Sequence, residues 1–385
     1  MKKTLNVGII GFGYMGKMHS MCYDNLKYYY NCDADVRLYA VATSKKPEEL
    51  PVKFEKYYTS WEELLDDENV DIADICGPNY LHADVLKKAM EKKKYIYCEK
   101  PLTTDLNGAN GVMEYKEKLG YDMVNRVCFE YRFVPAIIRA KQMIENGDIG
   151  KLINFNFKYY GCEFLDPARC ISWQSTKELS GGGVLYALGT HAIDLIRYLV
   201  GDVEEVFAQQ RTHFKERPLK EDPSQMKKVE IEDIVNAQLT CKDDVTGNLL
   251  LSQVAAGSGI DVTFEIYGEK GAIKFDHNNA NVIYYFNNED PKEPVGGFGG
   301  FKAIETTQKY GGAAVFPPPR VTISWLRYHI ASVYDFVEGI INGEEKTPGI
   351  EDAYKVQQIT EAIYKSAQSG RIEKVSADAE TVEGE

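Results

Sequence analysis

A lysine between a glutamate and a proline, Glu99-Lys100-Pro101, ends the short apolar run 95–98, and the chain opens with Gly11-Phe12-Gly13-Tyr14-Met15-Gly16. The lysine is a group that can take a proton from a hydroxyl as hydride leaves the carbon, and a neighbouring positive nicotinamide lowers its pKa toward that task. Pro101 holds the residue before it extended, which gives the lysine a direction. The glycines follow the apolar run 5–10 and precede a helix start at Met15, the context in which G-x-G-x-x-G reads as a dinucleotide turn. Gly11 permits the tight turn, Gly13 lets the backbone approach a pyrophosphate, and Gly16 lets the helix pack closely. The helix N-terminus then offers free N–H groups to the phosphates. Together these residues predict hydride chemistry with Lys100 managing the proton. The competing readings are a glycine turn with no ligand and a solvated lysine continuing the run Lys92-Lys93-Lys94.

Such residues need a parallel sheet to position them. Residues 36–43, 71–76, 95–98 and 121–128 read as further strands, with helices over 84–93 and 105–119 and a capping box, Ser60-Trp61-Glu62-Glu63, opening another. This βαβα succession predicts a doubly wound Rossmann sheet over 1–125. The rest, 126–385, changes character. Residues 154–160, 235–240, 248–253, 262–267 and 272–275 alternate like half-exposed strands, predicting an α+β domain with an open-faced, largely antiparallel sheet. Helical patterns cover 135–144, 191–199, 325–341 and 352–369. Residues 214–228 and 278–319 read as loops, the latter placed to cover a substrate cleft, and the acidic end after Val375 as frayed.

A length of 385 residues predicts two domains. The net charge of −13 argues against nucleic acid or an anionic membrane as partner. No run approaches the roughly 18 apolar residues of a membrane helix. The eight cysteines lack metal-ligand spacing, so no metal is expected, and unpaired thiols suit a reducing cytoplasm.

The chain resembles the glucose–fructose oxidoreductase, inositol dehydrogenase and rhizopine catabolism family of NAD(P)-dependent oxidoreductases over nearly its whole length. The resemblance rests on the glycine motif, Pro78-Asn79-Tyr80-Leu81-His82, Glu99-Lys100-Pro101-Leu102 and Tyr131-Arg132-Phe133-x-Pro135-Ala136. It extends through Gly181-Gly182-Gly183, Gly189-Thr190-His191-Ala192-Ile193-Asp194, Ile266-Tyr267-Gly268-Glu269-Lys270-Gly271 and the final-helix segment Glu361–Ser366. It implies a Rossmann domain plus an open-faced sheet that supports a homodimer or homotetramer. Lys100 and His191 become the catalytic pair, with Asp194 one helical turn on as an orienting or structural residue. The implied cofactor contacts are Gly11, Phe12, Gly13, Tyr14, Met15 and Gly16, then Thr43, Ser44 and Lys45, Pro78, Asn79 and His82, and Glu99 with Lys100. The substrate face combines Lys100, Tyr131, Arg132, Tyr160, Trp173, Tyr186 and His191, with Tyr159 beside them, since aromatic faces and hydroxyl donors suit sugars.

Two departures shape the expectation. The second strand ends in Thr43-Ser44-Lys45-Lys46 rather than the acidic residue of an NAD site, which favours NADP over NAD. Four residues before His191, where most family members carry an aspartate, stands Ala187; Tyr186 or another group must take its role, or the chemistry differs. The expected function is hydride transfer between nicotinamide and a hydroxyl-bearing carbon of a sugar, cyclitol or glycoside. The alternatives are a redox-neutral nicotinamide-dependent glycosidase or lyase acting through a transient keto-sugar, and a non-catalytic ligand sensor.

Overall fold

The computed structural model describes residues 2–44, 50–307 and 314–376. The first elements are β1 (Lys3–Ile10), α1 (Tyr14–Tyr29), β2 (Ala34–Ala42), β3 (Lys56–Tyr58), α2 (Trp61–Asp66) and β4 (Ile72–Ile75). They continue with α3 (His82–Glu91), β5 (Tyr95–Cys98), α4 (Leu106–Leu119) and β6 (Asn125–Val127). Among the described residues these six strands make one sheet in the order β3-β2-β1-β4-β5-β6, every pair parallel. The strands are short and apolar on both faces because helices cover both. The order reverses between β1 and β4, and there the crevice outside the carboxyl ends is the natural ligand site of such a sheet.

The chain then forms α5 (Pro135–Glu145), β7 (Leu152–Tyr160), α6 (Lys177–Ser180), α7 (Thr190–Leu199), β8 (Val203–Arg211), β9 (Glu216–Pro218) and β10 (Met226–Lys228). Next come β11 (Ile234–Cys241), β12 (Val245–Ser252), β13 (Asp261–Gly268), β14 (Gly271–Asp276), β15 (Val282–Asn287) and β16 (Lys302–Glu305). The last elements are α8 (Trp325–Asn342), α9 (Ile350–Ser369) and β17 (Glu373–Lys374). Nine described strands form a second sheet, β16-β15-β14-β13-β7-β12-β11-β8-β17, antiparallel except for the β7–β12 pair. Alternation sends Phe155, Phe157 and Tyr159 of β7 to the buried face, where Phe157 stacks on Phe264 of β13 at 5.0 Å. The opposite face, with Asn154, Asn156, Lys158 and Tyr160, stays open.

The compact units are Met1–Phe133 with Gly311–Gln357, and Val134–Tyr310 with Gln358–Glu385. The expected division into 1–125 and 126–385 therefore needs correction for 126–133 and for the α8 region. The reason lies in α8: Ile330, Val333, Phe336, Val337 and Ile340 share one buried cluster with Leu5, Val7 and Ile9 of β1 and Cys22 and Leu26 of α1. An amphipathic stripe at helical spacing says that a helix is buried, not which sheet it covers.

Three further expectations change. Residues 214–228 are not a plain exposed loop, since β9 and β10 pair as a ribbon and Arg217 is buried, donating to the carbonyls of Asp166 (2.8 Å) and Phe164 (2.5 Å). Residues 278–319 include β15 and β16, which extend the large sheet. The capping box is half formed: the Ser60 hydroxyl oxygen accepts from the Glu62 and Glu63 amides, while its own proton goes to the Glu62 carboxylate. Ser60→Ala is expected to cost about 1 kcal/mol, read as a lower urea midpoint at unchanged slope; an unmoved midpoint contradicts the cap's role. All eight cysteines are free, and no described helix is long and apolar enough to cross a membrane.

Candidate active site

The glycine turn closes the end of β1. Gly11 sits at φ +90°, and a Cβ there would lie 2.8 Å from the Cys76 carbonyl oxygen and the Gly77 nitrogen. Gly16 is also closed to a side chain, because its Cβ would fall 2.2 Å from the Gly11 carbonyl oxygen. Gly13 differs: a Cβ would meet nothing within 4 Å. Gly13 is the N-cap of α1, and no side chain caps that helix, so its first-turn N–H groups face an open approach. An uncapped helix start beside open backbone fits a dinucleotide's phosphates. Phe12 packs edge-on against Phe54 at 5.5 Å, Met15 is half-buried, and exposed Tyr14 stacks on Trp325 at 6.0 Å.

At the end of β2, the Thr43 and Tyr57 hydroxyls hydrogen-bond at 2.6 Å, and Ser44 is exposed. Lys45 and Lys46, the basis of the NADP expectation, lie outside the described residues. After β4, Pro78 leads into a single 3₁₀ turn, Asn79–Leu81, which feeds α3. His82 is fully buried; its Nδ1 lies 2.7 Å from the Pro101 carbonyl oxygen and its Nε2 3.1 Å from that of Gly77. Burial pulls its pKa below the ordinary value. Its side chain ties the Gly77 loop to the Lys100-Pro101 loop, whose peptide bond is cis.

Behind Lys100 runs a buried polar chain in which Glu99, of the lysine's own motif, meets two residues that the motifs did not single out, His19 and Asp74. His19, on α1, has Nδ1 2.8 Å from Asp74 Oδ1 and Nε2 3.1 Å from Glu99 Oε1. The other Glu99 oxygen accepts the Lys100 backbone N–H at 3.2 Å. Burial opposes charge on His19, but Asp74 and Cys76 overcome it and hold its pKa well above the ordinary value. Burial likewise pushes Glu99 up, yet the His19 hydrogen bond and charge and the Lys100 charge bring it down to about 2. Nearby Glu130 is pushed up to about 8 by burial and by the charge of Glu99, and accepts from Trp325 Nε1 at 3.4 Å. His329 is pulled down to about 3 by burial. His19 falls three residues after Gly16, one turn into α1 on its buried side; that spacing was the available signal.

The second unit carries the remaining candidates. Glu232, buried, accepts from the Gly183 amide with both oxygens at 3.1 Å and from the Leu185 amide at 2.9 Å. A Cβ on Gly183 would lie 1.9 Å from the Glu232 carbonyl oxygen, so the turn needs glycine there. This brace starts a π-helical turn, Leu185–Gly189, which runs into α7. The Thr190 hydroxyl donates to the Tyr186 carbonyl at 3.0 Å across that turn. π-turns recur at functional sites because they re-aim the side chains that follow. Here His191 follows, 7 % exposed, its ring 6.5 Å from that of Tyr159, with buried Asp194 one turn on.

Tyr186 is buried and stacks on Tyr364 at 6.1 Å, while Ala187 is exposed. Tyr186 is thus packed into the core. Trp173 opens a short 3₁₀ turn and is part-exposed; Tyr160 ends β7 on the open face. Tyr131 and Arg132 belong to the first unit, both buried, and Arg132 is paired with Asp352 at 3.1 Å. Within the first unit the structure brings the glycine turn, Pro78, Asn79, Glu99 and Lys100 to one edge of the parallel sheet; Trp173, Tyr186 and His191 lie in the second.

Comparison with known proteins identifies the family and the fold. A family model described as an oxidoreductase family NAD-binding Rossmann fold matches residues 5–124, and its C-terminal α/β domain matches 141–376. Levoglucosan dehydrogenase of Pseudarthrobacter phenanthrenivorans is 30% identical over 384 residues, covering 95% of this chain and 96% of that protein. Myo-inositol 2-dehydrogenase of Thermotoga maritima is 28% identical, covering 72% of this chain and 77% of its own. A solved levoglucosan dehydrogenase in complex with NADH superposes with a TM-score of 0.90 at 30% identity, over 97% of this chain and all of that one.

Proposed function

Because the chain belongs to the oxidoreductase family that joins an NAD-binding Rossmann domain to a C-terminal α/β domain, we propose that it is an NAD-dependent dehydrogenase oxidising a ring hydroxyl of a sugar or cyclitol. The observation that carries this reading is Lys100 at the carboxyl end of β5, on the same sheet edge as the glycine turn after β1. The full-length likeness to levoglucosan dehydrogenase and the partial one to myo-inositol 2-dehydrogenase support the substrate class.

The Gly11–Gly16 turn and the start of α1 hold the pyrophosphate, and Thr43 and Ser44 meet the adenosine ribose. Pro78 and Asn79 line the nicotinamide ribose. When bound, the nicotinamide supplies the acceptor for the hydride. Lys100 takes the hydroxyl proton, and His191 hydrogen-bonds the reacting hydroxyl. Trp173 offers a face to the sugar ring, whereas Tyr160 lies on the open face of the sheet, opposite the Tyr159 side that meets His191. Tyr131 and Tyr186 are buried and Arg132 is ion-paired with Asp352, so none of the three is assigned a substrate contact. NAD is preferred over NADP on the strength of the NADH complex of the relative. The open face of the nine-stranded sheet supports assembly of a homodimer or homotetramer, and the free cysteines suit a reducing cytoplasm.

Ala187 favours one second reading, a redox-neutral glycosidase or lyase in which the hydride returns to the sugar after elimination. The test follows reduced-nicotinamide absorbance with NAD and NADP against sugars, cyclitols and aryl glycosides, assaying released aglycone in the same wells. Steady reduction of NAD without aglycone release is expected. Aglycone release at constant absorbance would replace the dehydrogenase with the second reading, and faster reduction of NADP would reverse the cofactor assignment.

A further inference from the structure

The buried chain behind Lys100 has no part in the chemistry described so far. His19, Asp74 and Glu99 are shielded from water, their side chains 0%, 0% and 9% exposed. A buried carboxylate such as that of Glu99 stays ionised where a cation is placed against it. His19 is that cation, with one ring nitrogen directed at each carboxylate. The outer Glu99 oxygen then accepts the backbone N–H of Lys100.

We propose that His19 is a positioning residue for Lys100: clamped between Asp74 and Glu99, its imidazolium sets the Glu99 carboxylate that fixes the lysine's backbone. The inference rests on the reading of Lys100 as the proton acceptor. The neighbouring elements leave little else to play the part. On α1 itself Cys22 and Tyr23 are pushed up by burial and stay protonated, as do Cys76 after β4 and Tyr97 and Cys98 on β5. After β6, Cys128 stays a thiol and Glu130 titrates at about 8; on α8, His329 is neutral above about 3. The clamp is His19 between Asp74 and Glu99, with the Cys76 thiol 3.0 Å from His19 Nδ1 and donating to Asp74 Oδ1 at 3.0 Å.

The test compares His19→Gln, Glu99→Gln, the double variant and Lys100→Met in the dehydrogenase assay, with cofactor binding and thermal midpoint measured alongside. His19→Gln is expected to lower kcat about 10- to 100-fold, as a misplaced reacting group does, with substrate KM and the cofactor dissociation constant changed less than about threefold. Without His19 the buried Glu99 carboxylate loses the interactions that keep its pKa near 2, so the acid limb of kcat moves up toward neutrality. Glu99→Gln shows a similar loss with no such limb. The double variant loses no more than either single one, because both act through one contact.

Wild-type kcat and pH profile in His19→Gln would overturn the inference, as would losses that multiply in the double variant. Should His19→Gln fail to fold, Asp74→Asn carries the test: it removes the charge that sustains the imidazolium, so kcat must gain an alkaline limb. An unchanged profile there is equally fatal. If Lys100→Met keeps its activity, the functional reading falls. If Lys100→Met is dead while the His19 and Glu99 variants are normal, only the positioning role falls.

Discussion

Lys100→Met is expected to lower kcat by about 10³-fold or more, within reach of what a lost general base costs, while NAD binds within about threefold of the wild-type constant. The separation follows from the fold. The proposed pyrophosphate site is made of backbone groups in the turn after β1 and at the start of α1, whereas Lys100 follows β5. Methionine matches the lysine stem in length and has no group that takes a proton. Lys100→Arg should be as poor, since a guanidinium keeps its charge and cannot accept the proton; that result would separate loss of proton transfer from loss of charge. Steady-state rates with the best sugar, and calorimetric titration of NAD, provide the check. Near-normal turnover in Lys100→Met would remove the lysine from the chemistry.

Gly13→Val and Gly16→Val should both abolish NAD binding, for different reasons. At Gly13 an added Cβ meets no protein atom within 4 Å, and φ is −77°, which any residue adopts. The variant should therefore melt within about 1 °C of wild type, as substitutions without a steric conflict do. Its side chain occupies the approach to the phosphates, so NAD affinity falls by about 100-fold or more, equivalent to roughly 2.7 kcal/mol. At Gly16 the Cβ would fall 2.2 Å from the Gly11 carbonyl oxygen, a backbone atom that cannot swing aside. Forcing α1 away from the turn costs about 3 kcal/mol and lowers the thermal midpoint by roughly 5–10 °C. Thermal melts and NAD titrations of the pair test this. A stable Gly16→Val, or a Gly13→Val that binds NAD normally, would contradict the assignment of these positions.

The parallel sheet was legible because most of its strands are apolar runs separated by helices of the right length; β5 matches its expected span, β1, β2, β4 and β6 shift by a few residues at their ends, and the edge strand β3 was not among those expected. The glycine turn was legible because Gly11 and Gly16 leave no alternative to glycine. Contacts between distant segments were not. The sequence places α8 as an amphipathic helix but does not say that its apolar stripe joins the core of β1 and α1, more than 300 positions away. β15 and β16 hid in a stretch dense in glycine and proline, where turn signals mask alternation. β8 was passed over because Glu204, Glu205, Gln209 and Gln210 break up its apolar residues.

At the candidate site, local motifs single out Lys100 and His191 but not the residues packed around them. Glu99 belongs to the same motif as Lys100, but His19 and Asp74 come from α1 and β4, and only packing shows that the three form one buried polar chain. The sequence also left open whether Tyr186 stands in for the carboxylate missing at Ala187. The stacking of Tyr186 on Tyr364 turns it inward. The brace that shapes this stretch, Glu232 against Gly183 and Leu185, joins residues some fifty positions apart and carries no motif of its own.

The most direct test of the central claim follows deuterium from the carbinol carbon of an oxidised sugar. With NAD and a specifically deuterated substrate, the label should appear at nicotinamide C4 of released reduced cofactor, in step with accumulation of the keto product. Deuterium that returns to a sugar product while the cofactor pool stays oxidised would contradict net dehydrogenation.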